Sequence, residues 1–232
     1  MAYNIITYCS SDYFEWLPNV VCSWDKPGVD KIYIYTDGGI PELPESVYGK
    51  TRVCHDYFGP CTNFRENCSR KAESLHYCLS SNTSGNFLMI DSDCYLAEDV
   101  STVFDKCFDI AVTVLLETTE AKRFNDISAG LLFVKNTDFS KRFVERWIDK
   151  QMQLRSKCAD QQSLSRTCKE NMDQLMGLDA EVYNSYPYTN SPGEIYHWYN
   201  RIRKNSPKIL HFAHRLVRDK KFIDDTLNFL GQ

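Results

Sequence analysis

Two carboxylates one residue apart, Asp91 and Asp93, directly follow the apolar run Phe87-Leu88-Met89-Ile90. Paired oxygen donors on a tight turn suit a hard divalent cation, Mg²⁺ or Mn²⁺. Such an ion takes one or two protein carboxylates and completes its shell with phosphate oxygens and water. The spacing alone carries little information, because 19 aspartates in 232 residues give about 1.6 Asp-x-Asp matches by chance. Requiring four apolar residues immediately before the pair lowers that to roughly 0.05. The chain holds one Asp-x-Asp, and it has that context. The plainer reading is an acidic turn that only solvates a strand end.

The elements that must position this pair follow from the hydrophobic pattern. Strand-like runs alternate with segments of helical period: a strand at Tyr3 to Cys9, a helix from Asp12 to Trp24, and a strand at Lys31 to Thr36 ending in Asp37-Gly38-Gly39. A short strand near Thr51 to Cys54 precedes a charged amphipathic helix from about Asn63 to Ser80, and Phe87 to Ile90 reads as a buried central strand. A helix opened by Glu98 and Asp99 and reaching about Cys107 comes next. Strands at Ile110 to Leu116 and Leu131 to Val134 are followed by helices at about Ser140 to Arg155 and Asp160 to Thr167. An aromatic stretch (Tyr183 to Tyr199), a strand at Lys208 to His211 and a helix from about Asp219 to Leu230 complete the chain. This alternation predicts one α/β domain with a mostly parallel central sheet flanked by helices. The domain divides into two halves at about residue 95. In open α/β sheets ligands bind beyond the carboxyl ends of the strands, which is where Asp91 and Asp93 fall.

Composition narrows the setting. The formal net charge is −4, with 43% apolar and 25% charged residues, as expected for a folded globular protein. A mildly acidic balance argues against nucleic acid as a partner. The longest apolar runs fall far short of the roughly 20 residues a membrane span needs. Met1-Ala2-Tyr3-Asn4-Ile5-Ile6 reads as a first strand rather than a signal peptide, so the expected location is the cytoplasm. The ten cysteines contain no Cys-x-x-Cys pair and read as free thiols in a reducing compartment.

Phe87-Leu88-Met89-Ile90-Asp91-Ser92-Asp93 resembles the Asp-x-Asp segment of nucleotide-sugar glycosyltransferases with the GT-A fold. Three later segments extend the resemblance to the glycogenin and lipopolysaccharide galactosyltransferase group. Ser128-Ala129-Gly130-Leu131-Leu132-Phe133-Val134 is similar to its Asn-Ala-Gly strand, with Ser128 in place of Asn. Asp160-Gln161-Gln162-Ser163-Leu164-Ser165 is similar to its Asp-Gln-x-x-Leu-Asn helix start, and Ile209-Leu210-His211-Phe212 to its metal-binding histidine strand. The four occur in the expected order. After His211 the group's Gly and Lys are missing, so a phosphate contact is expected to move to Arg215 or Arg218.

The resemblance implies a metal-dependent transferase that moves a sugar from a UDP- or GDP-sugar to a hydroxyl, on a glycan; it suggests retention of configuration, with inversion left open. About 1–95 would be its nucleotide-binding half and about 96–232 its donor-sugar and acceptor half. Asp91 would touch the ribose or the metal, Asp93 would hold the metal, and His211 would be the third ligand, with His214 as the fallback. A neutral imidazole adds a ligand without adding negative charge. Thr7, Tyr8 and Asp37 occupy positions where such folds grip base and ribose, with packing an equal reading for Tyr8. Ser92 belongs to the same donor-binding turn. Arg65, Arg70 and Lys71 lie on the helix before the metal strand, and Arg65 and Lys71 are the chosen diphosphate contacts. Ser128, Ala129 and Gly130 would line the donor sugar. Asp160, with Gln161, would bind sugar hydroxyls or act as base in an inverting enzyme, and capping its helix is a compatible role. Tyr186, Tyr188, Tyr196, Trp198 and Tyr199 form either an acceptor platform or packing. A sugar-1-phosphate nucleotidyltransferase and a non-catalytic sugar-binding module remain as alternatives. The former would want a glycine-rich phosphate loop, and Cys9-Ser10-Ser11-Asp12 has no glycine.

Overall fold

Among the described residues nine strands are laid out: β1 (Tyr3–Cys9), β2 (Val29–Thr36), β3 (Thr51–Cys54), β4 (Asn86–Ile90), β5 (Cys94–Leu96), β6 (Ile110–Val114), β7 (Ile127–Lys135), β8 (Leu175–Asp179) and β9 (Ile209–His211). Eight α-helices accompany them: α1 (Pro18–Val21), α2 (Glu45–Tyr48), α3 (Phe64–Ser80), α4 (Asp138–Gln153), α5 (Ala159–Lys169), α6 (Ala180–Tyr183), α7 (Pro192–Asn205) and α8 (Lys220–Leu230). These elements belong to a computed structural model that describes residues 1–60, 64–81, 85–114, 127–154, 159–185, 192–212, 216 and 219–231. The side chains of residues 64, 65, 67, 159, 192 and 193 lie outside the description.

Seven strands form one sheet in the order β3-β2-β1-β4-β7-β6-β8, and β5 pairs with β9 in a separate two-stranded sheet. β1 is parallel to β2 and β4, β2 to β3, and β6 to β8, whereas β7 is antiparallel to both of its neighbours. Only β7 therefore runs against the rest, and the α/β expectation holds with one reversed strand. That reversal has a use. It brings the start of β7 beside the end of β4, with Ile90 opposite Leu131, so Ser128 to Gly130 meet Asp91 at the same sheet edge.

The sheet is buried on both faces, as its near-continuous apolar strands require. Leu88 and Ile90 of β4 point into a core with Trp24, Phe104, Trp198 and Phe212. Phe87 and Met89 point into a second core with Leu75 and Leu79 of α3, Phe143 and Trp147 of α4, and Leu164 of α5. Each such large side chain contributes about 1.5–3 kcal/mol on leaving water. On α3 the buried stripe runs through Cys68, Leu75 and Cys78. Lys71 lies on that stripe, so packing the helix also drives its ammonium inward.

Two expected helices are broken. Asp12 to Trp24 is a 3₁₀ turn (Ser11–Tyr13), the single turn α1 and a second 3₁₀ turn (Cys22–Trp24). Pro18, at the first position of α1, has no N–H to continue a ladder from Phe14. Glu98 to Cys107 yields only a 3₁₀ turn, Ser101–Asp105. The Asp99 carboxylate accepts the Ser101 backbone N–H at 3.1 Å and its hydroxyl at 2.9 Å. That local bonding competes with helix continuation.

Candidate active site

β4 ends and the chain turns at once. The Asp91 N–H donates to the Gly130 carbonyl at 2.9 Å and the Cys94 N–H to the Asp91 carbonyl at 3.1 Å, fixing the turn that carries both carboxylates. β5 follows and pairs with β9, Cys94 opposite His211, and the Phe212 N–H donates to the Asp93 carbonyl at 3.0 Å. This small sheet places His211 over the Asp-x-Asp turn. Its Nε2 lies 3.1 Å from Asp93 Oδ1 and 3.9 Å from Asp91 Oδ2. From the opposite side Lys71 Nζ reaches Asp91 Oδ1 at 2.7 Å and Asp160 Oδ2 at 3.6 Å. Asp160 is held by its backbone, whose carbonyl accepts the Trp147 indole N–H at 3.1 Å and the Ser163 hydroxyl at 3.0 Å.

Gly130 closes the floor. A Cβ there would stand 2.8 Å from Asp91 Oδ2 and 3.0 Å from His211 Cε1. Any larger residue would push apart the two side chains that face each other across it. The Ala129 N–H donates to Gln161 Oε1 at 2.8 Å, and the Gly130 N–H to Ser128 Oγ at 3.1 Å. Gln161 and Ser128 therefore hold the backbone of this strand start.

Charge at the site is out of balance. Three carboxylates (Asp91, Asp93 and Asp160) face one ammonium, which leaves two negative charges while His211 is neutral. Burial raises the Asp91 carboxyl above its ordinary range even though Lys71 pulls the other way. Burial also opposes ionisation of Asp93, but the His211 charge and hydrogen bond outweigh it and lower its pKa. Burial disfavours the His211 imidazolium, and Asp93 more than reverses that, so its pKa is raised. Lys71 is likewise held above its usual value: desolvation is overcome by Asp91 and Asp160.

A divalent cation fits this donor set on charge and on chemistry. Among the described residues, ligand atoms of Asp93, Cys94 and His211 lie within 4.8 Å of one another. Burial drives the Cys94 thiol well above its ordinary pKa, so it stays a thiol, and the useful donors are carboxylate oxygen and imidazole nitrogen. Oxygen-rich donors suit Mg²⁺ and Mn²⁺.

A sequence model of the nucleotide-diphospho-sugar transferases matches residues 62–223, more than half of the chain. The chain belongs to that family. Its fold is similar to the apo-form glycosyltransferase GlyE of Streptococcus pneumoniae TIGR4, with a TM-score of 0.63 and 15% identity over 100% of this chain and 62% of that one. It is similar to the bifunctional glycosyltransferase WbbM, with a TM-score of 0.63 and 12% identity over 100% of this chain and 50% of that one. The galactosyltransferase LgtC, solved with donor and acceptor sugar analogues, gives a TM-score of 0.56 and 10% identity over 98% and 95% of the two chains. The chain thus spans about half to three-fifths of GlyE and WbbM. At such identities the likeness is one of fold, and it agrees with the GT-A expectation. No curated protein matches the sequence.

The remaining expected residues divide. Asp37 lies at the end of β2, where it accepts the Ser11 N–H at 2.8 Å and the Ser11 hydroxyl at 3.4 Å. Ser92 bonds to the Cys9 thiol, which burial pushes up to about 12 and which feels both Asp37 and Asp93. Those contacts gather Asp37, Cys9, Ser92 and Asp93 at one sheet edge. Thr7 is fully buried and Tyr8 is 5% exposed, with the Tyr8 ring edge-on to Phe58. The Tyr8 ring packs in the core beside Phe58.

Arg70 is taken by Glu66 and Glu73 and lies over the Phe58 ring. The side chain of Arg65 lies outside the described residues, as do His214, Arg215, Arg218, Tyr186 and Tyr188. Trp198 is fully buried and stacks on Tyr199 and Phe222, so the core claims these two members of the aromatic stretch. Tyr196 is exposed. Sequence reasoning missed Asn184, whose Oδ1 stands 3.1 Å from His211 Nδ1. A lone Asn-Ser at 184–185 carries no signal for that role. It also missed Trp147, legible only as an apolar position of α4.

Proposed function

We propose that this chain transfers a sugar from a UDP- or GDP-sugar to a hydroxyl of a glycan acceptor, using Mn²⁺ or Mg²⁺ held by Asp91, Asp93 and His211. The observation that supports it is the convergence of those three side chains with Lys71 and Asp160 at the carboxyl edge of the sheet. Bound there, a divalent cation supplies positive charge against the donor diphosphate and the departing nucleotide.

The chain's own residues do the rest. Asp37, at the β2 end, accepts hydrogen bonds from the ribose hydroxyls, while the strand-end backbone at Thr7 and Tyr8 borders the base. Lys71 orients Asp91 and gives a fixed cation beside the diphosphate, with Arg65 at the start of α3. Ser128 and Gly130 leave room for the donor sugar. Asp160 accepts from its hydroxyls while Gln161 keeps the Ala129 backbone in place. Retention needs no protein base if the acceptor hydroxyl attacks on the face the nucleotide leaves. Among the described residues no helix is long and apolar enough to cross a membrane, and the described cysteines are all free. Free thiols favour the cytoplasm.

The test is incubation of the pure protein with a panel of nucleotide sugars and Mn²⁺. Slow metal-dependent donor hydrolysis that disappears in Asp93→Ala is expected. Donor hydrolysis unchanged by Asp93→Ala, or none with any donor, would remove the proposal.

A further inference from the structure

Asn184 follows α6 and is fully buried. A buried amide is costly to keep unless its polar atoms are bonded, and both ends of this one are. Oδ1 stands 3.1 Å from His211 Nδ1, and Nδ2 donates to the Thr113 hydroxyl of β6 at 3.4 Å. With Nδ2 engaged by Thr113, the atom turned to the imidazole is an acceptor. In this arrangement an Nδ1–H on His211 satisfies that acceptor. The adjoining Ser185 carbonyl accepts the His211 backbone N–H at 2.9 Å, and the Ser185 hydroxyl accepts the Trp198 indole N–H at 3.1 Å. One dipeptide thus grips His211 by ring and backbone and is itself anchored in the core.

We infer that Asn184 is a positioning residue for the metal site: it locks the His211 ring with Nδ1–H turned inward, leaving Nε2 to face Asp93 and Asp91 as the ligand atom. The inference rests on the metal reading above. It concerns which nitrogen is presented and at what angle, a choice that an outer partner sets in histidine metal ligands generally. Thr113 extends the chain of contacts one residue further.

Three variants separate this role from mere packing. Asn184→Leu keeps the volume and deletes the acceptor, and Mn²⁺ affinity followed by electron paramagnetic resonance is expected to fall about 10- to 100-fold. Asn184→Asp keeps an acceptor for Nδ1–H and is expected to hold the affinity near wild type, whereas a packing role would leave Asn184→Leu near wild type as well. Thr113→Val frees the amide and serves if Asn184→Leu does not fold; an intermediate loss is expected. In the metal-free protein, the His211 Nδ1 proton should be protected from exchange in ¹⁵N-histidine spectra and lose that protection in Asn184→Leu. A folded Asn184→Leu or Thr113→Val with wild-type Mn²⁺ affinity and a protected Nδ1 proton would overturn the assignment. If wild type itself binds no Mn²⁺, the metal reading has failed, and the Nδ1 proton alone decides whether Asn184 sets the ring.

Discussion

In the proposed site Mn²⁺ and a proton would compete for the same His211 nitrogen, and the sign of the competition follows from the metal-free site. Asp93 holds the imidazolium, so the His211 pKa is raised. The stability this pair contributes is present below the ordinary histidine value while Asp93 stays ionised, and is lost as pH rises through the raised value. Metal affinity runs the other way: it should climb with pH across the same window, which lies above the ordinary histidine range, as a Mn²⁺ titration at several pH values would show. Asp93→Asn should abolish most of that affinity. Lys71 gives a separate prediction, because Lys71→Met leaves the largely buried Asp91 and Asp160 carboxylates without the cation they share. Removing one partner of such a group costs about 3 kcal/mol, measurable by urea denaturation. Asp91 and Asp93 were readable in the sequence because an apolar run ending in two carboxylates is rare and strand ends face ligands. Tyr8 was not, since an aromatic ring at a strand end serves packing and stacking equally. Asn184 was invisible because its partner is 27 residues away.

At the level of elements, the site depends on a reversed strand and a two-stranded clip. β7 brings Gly130 against Asp91, and β5–β9 brings His211 over Asp93. Gly130→Ala should displace both side chains, lower Mn²⁺ affinity sharply and cost about 1–3 kcal/mol as an overpacked substitution. Metal titration and thermal unfolding of the same variant check both effects. Helices α3, α4, α5 and α8 were legible from period, and the structure adds caps, Thr137 accepting the Ser140 N–H at the start of α4 and Asp219 the Phe222 N–H at the start of α8; α7 read only as an aromatic stretch. Shorter elements escaped. β8 is an edge strand interrupted by Gly177, with Leu178 as its one buried residue, so it lacks an apolar run. β7 begins at Ile127, earlier than the expected Leu131, because Ser-Ala-Gly has little strand character and acquires it by pairing. The clip is three residues a side, too short to show a period.

Over the whole molecule the net charge of −4 conceals a local arrangement in which buried carboxylates outnumber buried cations. Divalent metal should therefore stabilise the fold. At Mn²⁺ about 100 times its dissociation constant the gain is about 2.7 kcal/mol, or roughly 5–10 °C in Tm for a chain of this size. Differential scanning calorimetry with Mn²⁺ and with EDTA checks it. The most direct test joins metal and substrate: calorimetric titration of UDP and of GDP into wild type and Asp93→Asn, each with and without Mn²⁺. Binding of one nucleotide to wild type only when Mn²⁺ is present, and its loss in Asp93→Asn, is the expected result. Nucleotide binding indifferent to Mn²⁺ and to Asp93, or no binding under any condition, would contradict the assignment of this site.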